Sequence, residues 1–353
     1  MRIPRSLVQM SALAWRLLVI VAAAALIVYA LVVLRLLIIP VIVALFLSTL
    51  LYPPVAWLRS KGWPSLLATW VVLLSCIGLI IALVFLLAPQ VSSEIDDLGG
   101  QLKAASEDVL TWLAEGPLDV SRAEVSDYVD QASKTLSESS GRITAGVLSG
   151  AVKVAEIVAA LLLTLVLLFF FVNGGEKMWR WILERSPTDQ REDIEKVGRR
   201  AWTAMGSYIR GTALIALADA VLIGAALLIL GIPLAVPLIL LTFFGGFFPL
   251  VGATVAGIIS ALVALVGAGV TDALIVAGWV IVVQQVEGDV LQPMVMGRAV
   301  RLHPVVILLA LTAGALIGGV AGAFLAVPTV AIATAIGSYY REKSNRSDVA
   351  VAG

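Results

Sequence analysis

The chain has 353 residues, of which 60% are hydrophobic and only 14% charged, with a mean hydropathy of +1.03. An average globular protein carries about 25% charged residues, so this composition excludes an ordinary soluble enzyme and points to a polytopic membrane protein. Its 24 basic and 24 acidic side chains cancel, which removes the electrostatic footprint of a nucleic-acid partner, and a lone cysteine, Cys76, excludes an intrachain disulfide or a CxxC metal or redox site.

Arg2, Arg5 and Arg16 precede an apolar run over residues 17–34. Its small-residue cluster lies inside the run, so it reads as an uncleaved first span with a cytoplasmic N-terminus. Arg35 interrupts the apolar sequence, and residues 36–58 supply a second span bent at Pro40 that is expected to pair with the first as a helical hairpin. Arg59 and Lys61 mark a cytoplasmic turn, and residues 66–89 form a third span, which completes an N-terminal unit over residues 1–90.

Residues 91–142 hold eleven acidic and four basic side chains. Poverty in Lys and Arg marks an external loop, so residues 91–150 form an extracytoplasmic segment. Apolar positions at Val91, Ile95, Leu98 and Leu102, and again at Val125, Val129 and Leu136, predict two amphipathic helices around the Gly116-Pro117 break. Such helices cover the bundle or meet a neighbouring subunit, the basis for an expected homo-oligomer.

A fourth span over residues 157–172, within a segment 151–175, returns inward to Asn173-Gly174-Gly175. Residues 176–210 carry eight Lys/Arg and six Asp/Glu, so the amphipathic segment 176–207 is cytoplasmic. Ser186-Pro187-Thr188-Asp189 has the residues of a helix start, and Ile194, Val197, Ala201, Met205 and Tyr208 mark one apolar face.

The C-terminal core, residues 208–340, begins with a fifth span over residues 211–230 that contains Asp219 and closes at Gly231-Ile232-Pro233. No charged residue occurs from 220 to 271 or from 302 to 340. Pro237, Gly245-Gly246, Pro249 and Gly252 interrupt the first run; Pro304, Gly314, Gly318-Gly319, Gly322 and Pro328 interrupt the second. Pro and Gly at this density break helices or fold them into re-entrant hairpins. Residues 302–340 as one helix would span about 58 Å, against a hydrocarbon core of about 30 Å. Two topologies compete: hairpins dipping from opposite sides with a cytoplasmic 284–304 loop, or eight plain spans with that loop outside. Arg298 and Arg301 favour the first. Both leave Arg341, Lys343 and Arg346 in a cytoplasmic tail, residues 341–353. The fold expected is an all-α polytopic bundle whose C-terminal helices are broken by Gly and Pro.

The candidate functional residues follow from cost. Asp219 is the one carboxylate well inside a predicted span; such an acid must be neutral, paired or bound to a cation, which makes it a candidate for coupling to protons or sodium, against the plainer reading of an acid facing an aqueous cavity. Paired interrupted segments point to a substrate site, which places Pro249, Gly252, Gln284, Gln285, Glu287, Asp289, Arg298 and Arg301 around a pathway for a small polar solute through the lipid bilayer. Glu287 and Asp289 sit two apart and face different sides of a helix, so they are not a paired acid site. Arg298 and Arg301 can clasp those acids instead of touching solute. Gly245 and Gly246 mark a break; Gly314, Gly318 and Gly322, spaced GxxxGxxxG, serve close helix packing or a hinge. The single histidine, His303, cannot form a metal site alone. No phosphate loop, HExxH or GxSxG is present, so cofactor-dependent, ATP-driven or hydrolytic chemistry lacks its usual residues.

Tyr208-Ile209-Arg210-Gly211, Leu230-Gly231-Ile232-Pro233, Phe248-Pro249-Leu250-Val251-Gly252, the run from Gln284 to Pro293 (QQVEGDVLQP), Gly297-Arg298, Leu302-His303-Pro304 and the segment 322–328 together resemble the autoinducer-2 exporter family of bacterial permeases. The resemblance is specific over the last 150 or so residues and rests on hydropathy before them. It implies an inner-membrane protein of about eight spans and export of a small polar solute such as autoinducer-2. Members similar to sodium/proton antiporters keep a monovalent-cation/proton antiporter as the alternative, and a non-transporting membrane scaffold with partner-binding external helices is a third reading.

Overall fold

The computed structural model describes residues 14–86, 155–249, 251–296 and 303–352, apart from residues 17, 24, 25, 27, 28, 31 and 84. The two amphipathic helices expected over residues 91–142 lie outside the described residues. Every described element is helical or a connecting turn, and six helices are long and apolar enough to cross a membrane. The fold is a polytopic helical bundle. Large apolar side chains such as Leu74, Leu161, Leu228, Ile281 and Leu309 are exposed on its outside, a surface that suits hydrocarbon and not water.

Helix α1 runs over Arg35–Ser60, α2 over Ser65–Leu83 and α3 over Ala155–Arg185. The hairpin expected at Arg35 is not formed there. Leu34 is the one non-helical residue, and backbone bonds from Leu34 to Ala30 and from Ile38 to Leu34 carry the chain through, whereas a helical hairpin needs a loop of about 2–5 residues. Helices α1 to α3 share a core of Ala44, Val55, Ala68, Leu73, Leu168 and Val172. Asn173-Gly174-Gly175 does not end α3 either; the helix continues through it, while Arg59 of α1 donates to the carbonyls of Val172 and Asn173 at 3.1 and 3.3 Å.

Helix α4, Arg191–Ile229, is a single 39-residue helix. It starts later than Ser186-Pro187 suggested. Ser186 instead closes α3, donating to the Ile182 carbonyl at 2.9 Å, and Arg191, the first residue of α4, reaches back to the Leu183 and Glu184 carbonyls, both at 2.9 Å, so the residue read as the cap serves the preceding helix end. Near its start α4 is tied to the last helix: Arg200 pairs with Glu342 at 2.7 Å, and Asp193 meets Lys343 and accepts from the Tyr339 hydroxyl at 2.6 Å. These pairs are exposed and screened by salt. The double variant Arg200→Ala, Lys343→Ala is therefore expected to melt within error of the parent at physiological salt, as measured on detergent-purified protein.

The two interrupted runs both fold back on themselves, as the first of the two topologies expected. Helices α5, Ala235–Gly245, and α6, Gly252–Ala268, form one hairpin; α5 at 11 residues reaches only about 16 Å, too short to cross. Helix α7 covers Val270–Val286, continues through a π-helical turn at Glu287–Leu291 and ends in Gln292–Met296. Helix α8, Pro304–Ala352, is broken at Gly319, whose φ of 60° and ψ of −142° suit glycine alone. Its two arms pack so tightly that a Cβ on Gly314 would strike the Gly322 carbonyl and come within 2.8 Å of the Ala326 Cβ. At the tip, Leu316 and Val320 are 83% and 76% exposed, an apolar cap that belongs in hydrocarbon.

Candidate functional site

The turn of the first hairpin meets one arm of the second. Phe247 and Phe248, in the turn between α5 and α6, meet Phe324 of α8 in tilted and edge-on contacts with ring centroids 5.9 and 6.0 Å apart. A Cβ on Gly246 would come within 2.7 Å of the Ala216 Cβ, so the same turn presses directly on α4, one helical turn before Asp219. Within the turn, a Cβ on Gly252 would overlap the Gly245 carbonyl. Pro249 and Gly252 are both half-buried there. Helix α4 is thus the post against which both hairpins lean, with Phe46, Met205, Tyr208, Ile209, Leu311 and Leu325 packed at one end and Ile223, Leu227, Leu238, Val276, Val280 and Val283 at the other.

One face of that post is polar. Tyr208, Thr212 and Asp219 are spaced by four and seven residues, which lines them on one side of a helix over about 16 Å. All three are buried, Asp219 to 1% exposure. The Tyr208 and Thr212 hydroxyls approach each other, but they and both Asp219 carboxylate oxygens make no aligned hydrogen bond among the described residues. Leaving a buried polar group unbonded costs about 1–3 kcal/mol, and close-packed interiors bond most such groups.

Helix α7 supplies the other wall. Its buried positions Val276, Val280 and Val283 step by four and three, and the next step falls on Glu287. They pack against Ile223 and Leu227 of α4, while the Trp279 indole N–H donates to the Leu222 carbonyl at 2.9 Å, so the helices run antiparallel and Asp219 comes level with Glu287. The turn that begins at Glu287 packs on α4, so the titratable group nearest Asp219 among the described residues is a second acceptor, the Glu287 carboxyl. Glu287 accepts a bond from Gln292 Nε2 at 3.2 Å, and the half-buried Gln284, one turn earlier, holds its amide nitrogen buried and unbonded.

Of the sequence-predicted residues, Asp219 and Glu287 approach each other, Gln284 stands one turn before Glu287 on α7, and Gly246, in the turn that also holds Pro249, presses on Ala216 one turn before Asp219. Gln285 and Asp289 are exposed on other sides of α7 and do not join them. Arg298 and Arg301 lie outside the described residues. The Gly314, Gly318 and Gly322 series packs within one hairpin and against Ile39 of α1, which lies 3.2 Å from a Cβ built on Gly318, rather than between two separate spans. Thr212 escaped the sequence reading, although its spacing from Tyr208 and Asp219 was there to find. No group of three or more His, Cys, Asp or Glu that could hold a metal occurs among the described residues.

The family model described as AI-2E family transporter matches residues 17–342. The chain belongs to that family. This AI-2E family member is 40% identical over 321 residues to a protein of Mycobacterium tuberculosis (strain CDC 1551 / Oshkosh) whose name gives it a provisional transport role; the match covers 91% of this chain and 88% of the relative. It is 28% identical over 298 residues to YrrI of Bacillus subtilis (strain 168), provisionally named a transport protein, covering 83% and 84%. It is also 25% identical over 307 residues to PerM of Escherichia coli (strain K12), provisionally named a permease, covering 84% and 85%. Family and fold together make it a multi-pass membrane transport protein.

Proposed function

We propose that this transporter exports a small hydrophilic solute of the autoinducer-2 type across the bacterial inner membrane, by secondary or facilitated transport, with both termini in the cytoplasm. The observation that carries the reading is the row of buried polar groups without aligned hydrogen bonds on α4 and α7, set beside two helical hairpins that pack on each other and on α4. A sealed bundle gains nothing from such a row. A solute that carries its own hydroxyls and carbonyls can bond these groups as it passes and replace the water it leaves behind. Family membership supports transport and leaves the solute to the site; the site's neutral hydroxyls and amide suit a small polyol-like molecule better than an anion, since no cation approaches Asp219 among the described residues.

Proteoliposomes containing the purified chain test this directly. Labelled autoinducer-2 is expected to cross faster than in protein-free vesicles, and Thr212→Val is expected to slow it several-fold by removing one bonding group at nearly constant volume. No flux beyond the control would sink the export reading. Proton movement on adding sodium, with no solute flux, would favour cation/proton antiport instead.

A further inference from the structure

We propose that Asp219 and Glu287 form a proton-exchange site, two carboxyl groups on antiparallel helices that share one proton and release or regain it during transport. The use of that proton rests on the transport reading above; its location does not. The register of α4 and α7, set by the Ile223, Leu227, Val276, Val280 and Val283 seam and by the Trp279 to Leu222 bond, brings the two groups level. The Asp219 side chain is buried with both oxygens unbonded, so nothing else in the described protein neutralises it. The π-helical turn that begins at Glu287 is the kind of local widening that recurs at functional sites.

Two carboxylates held near each other at the edge of a buried site repel, and a single shared proton removes that repulsion. Release leaves two carboxylates and one proton in water; uptake reverses the step, with no other bond formed or broken. A proton needs no further ligands, whereas an alkali or alkaline-earth ion needs more oxygens than this site brings together. Other charged groups on the packed elements are turned elsewhere. Arg210 of α4 donates to the Thr49 carbonyl at 3.4 Å, and Arg59 of α1 bonds the Val172 and Asn173 carbonyls. Helices α5 and α6 carry no titratable residue. On α7, Asp272 sits in the first turn, at the opposite end from Glu287, and Asp289 is exposed. On α8, Glu342 and Lys343 pair with Arg200 and Asp193 at the far end of α4.

Infrared difference spectra of the full chain in lipid nanodiscs, between mildly acid and mildly alkaline buffer, read the proton itself. The wild type is expected to show a protonated-carboxyl band that disappears at alkaline pH. Asp219→Asn and Glu287→Gln should each abolish it, Asp219→Glu should retain it at a shifted frequency, and Glu195→Gln, at an exposed pair with Arg199, should leave it unchanged. A band that survives in both single neutral variants would overturn the proposal. So would a wild type with no band at either pH, the result if Arg298 or Arg301 neutralises the pair, and so would loss of the band when potassium is replaced by sodium at fixed pH. A band with these properties in a protein that moves no autoinducer-2 supports the site and overturns the export reading alone.

Discussion

Asp219→Asn is expected to give a protein that melts higher and exports less. The wild-type carboxyl is buried without a donor and faces another acceptor, Glu287, a local conflict that folding tolerates and function explains. Asn has nearly the same shape and brings an N–H that Glu287 can accept, so the repulsion that returns whenever the shared proton leaves is replaced by a hydrogen bond to a charged group worth about 2 kcal/mol. Positions held against stability in this way recur at working sites. Thermal melting of the purified variant beside a flux measurement checks both halves. A variant that melts lower and transports normally would show that Asp219 is a structural acid whose environment has been misread.

Gly322→Val should have the largest effect on folding. A Cβ at Gly322 would sit inside the Gly314 carbonyl, and Gly314 in turn has the Gly322 carbonyl and the Ala326 Cβ against it. The clash is with backbone, which cannot rotate away as a flexible side chain would. The arms of α8 must part, and with them the contacts of Phe324 to Phe247 and Phe248 that join the two hairpins. Overpacking of this kind costs about 1–3 kcal/mol in ordinary cores and more where backbone must move. The variant is expected to express poorly and melt well below the parent, whereas Gly337→Ala, which meets open space, should be silent. Equal melting of Gly322→Val and the parent would mean that the hairpin is not closed in the membrane.

Much of the architecture was legible in residue order. The uncharged runs, the Gly and Pro clusters and the excess length of residues 302–340 required broken helices in the C-terminal half, and hairpins are found at both places. Local chemistry misled where a residue serves a neighbour instead of its own element: Ser186 closes α3 rather than opening α4, and Asn173-Gly174-Gly175 stays helical while Arg59 bonds the carbonyls beside it. Arg35 read as a turn between spans because charge was weighed there without any sign of backbone reversal.

For the site, sequence alone singled out Asp219, Gln284 and Glu287, because a polar or charged group in an apolar run is costly wherever the chain carries it. It separated Glu287 from Asp289 by helical spacing. What it did not contain was the partner of Asp219. The distance from residue 219 to residue 287 along the chain says nothing about their distance in space, and only the antiparallel packing of α4 on α7, set by side chains interlocking at one register, brings the two carboxyls level. In the same way the glycine series announced a close approach, but the positive φ at Gly319 decided that the approach is between two arms of one hairpin. Composition and periodicity are local and additive, so they survive in the sequence; a contact between distant residues is a property of how whole helices interlock, and that is settled only when they pack.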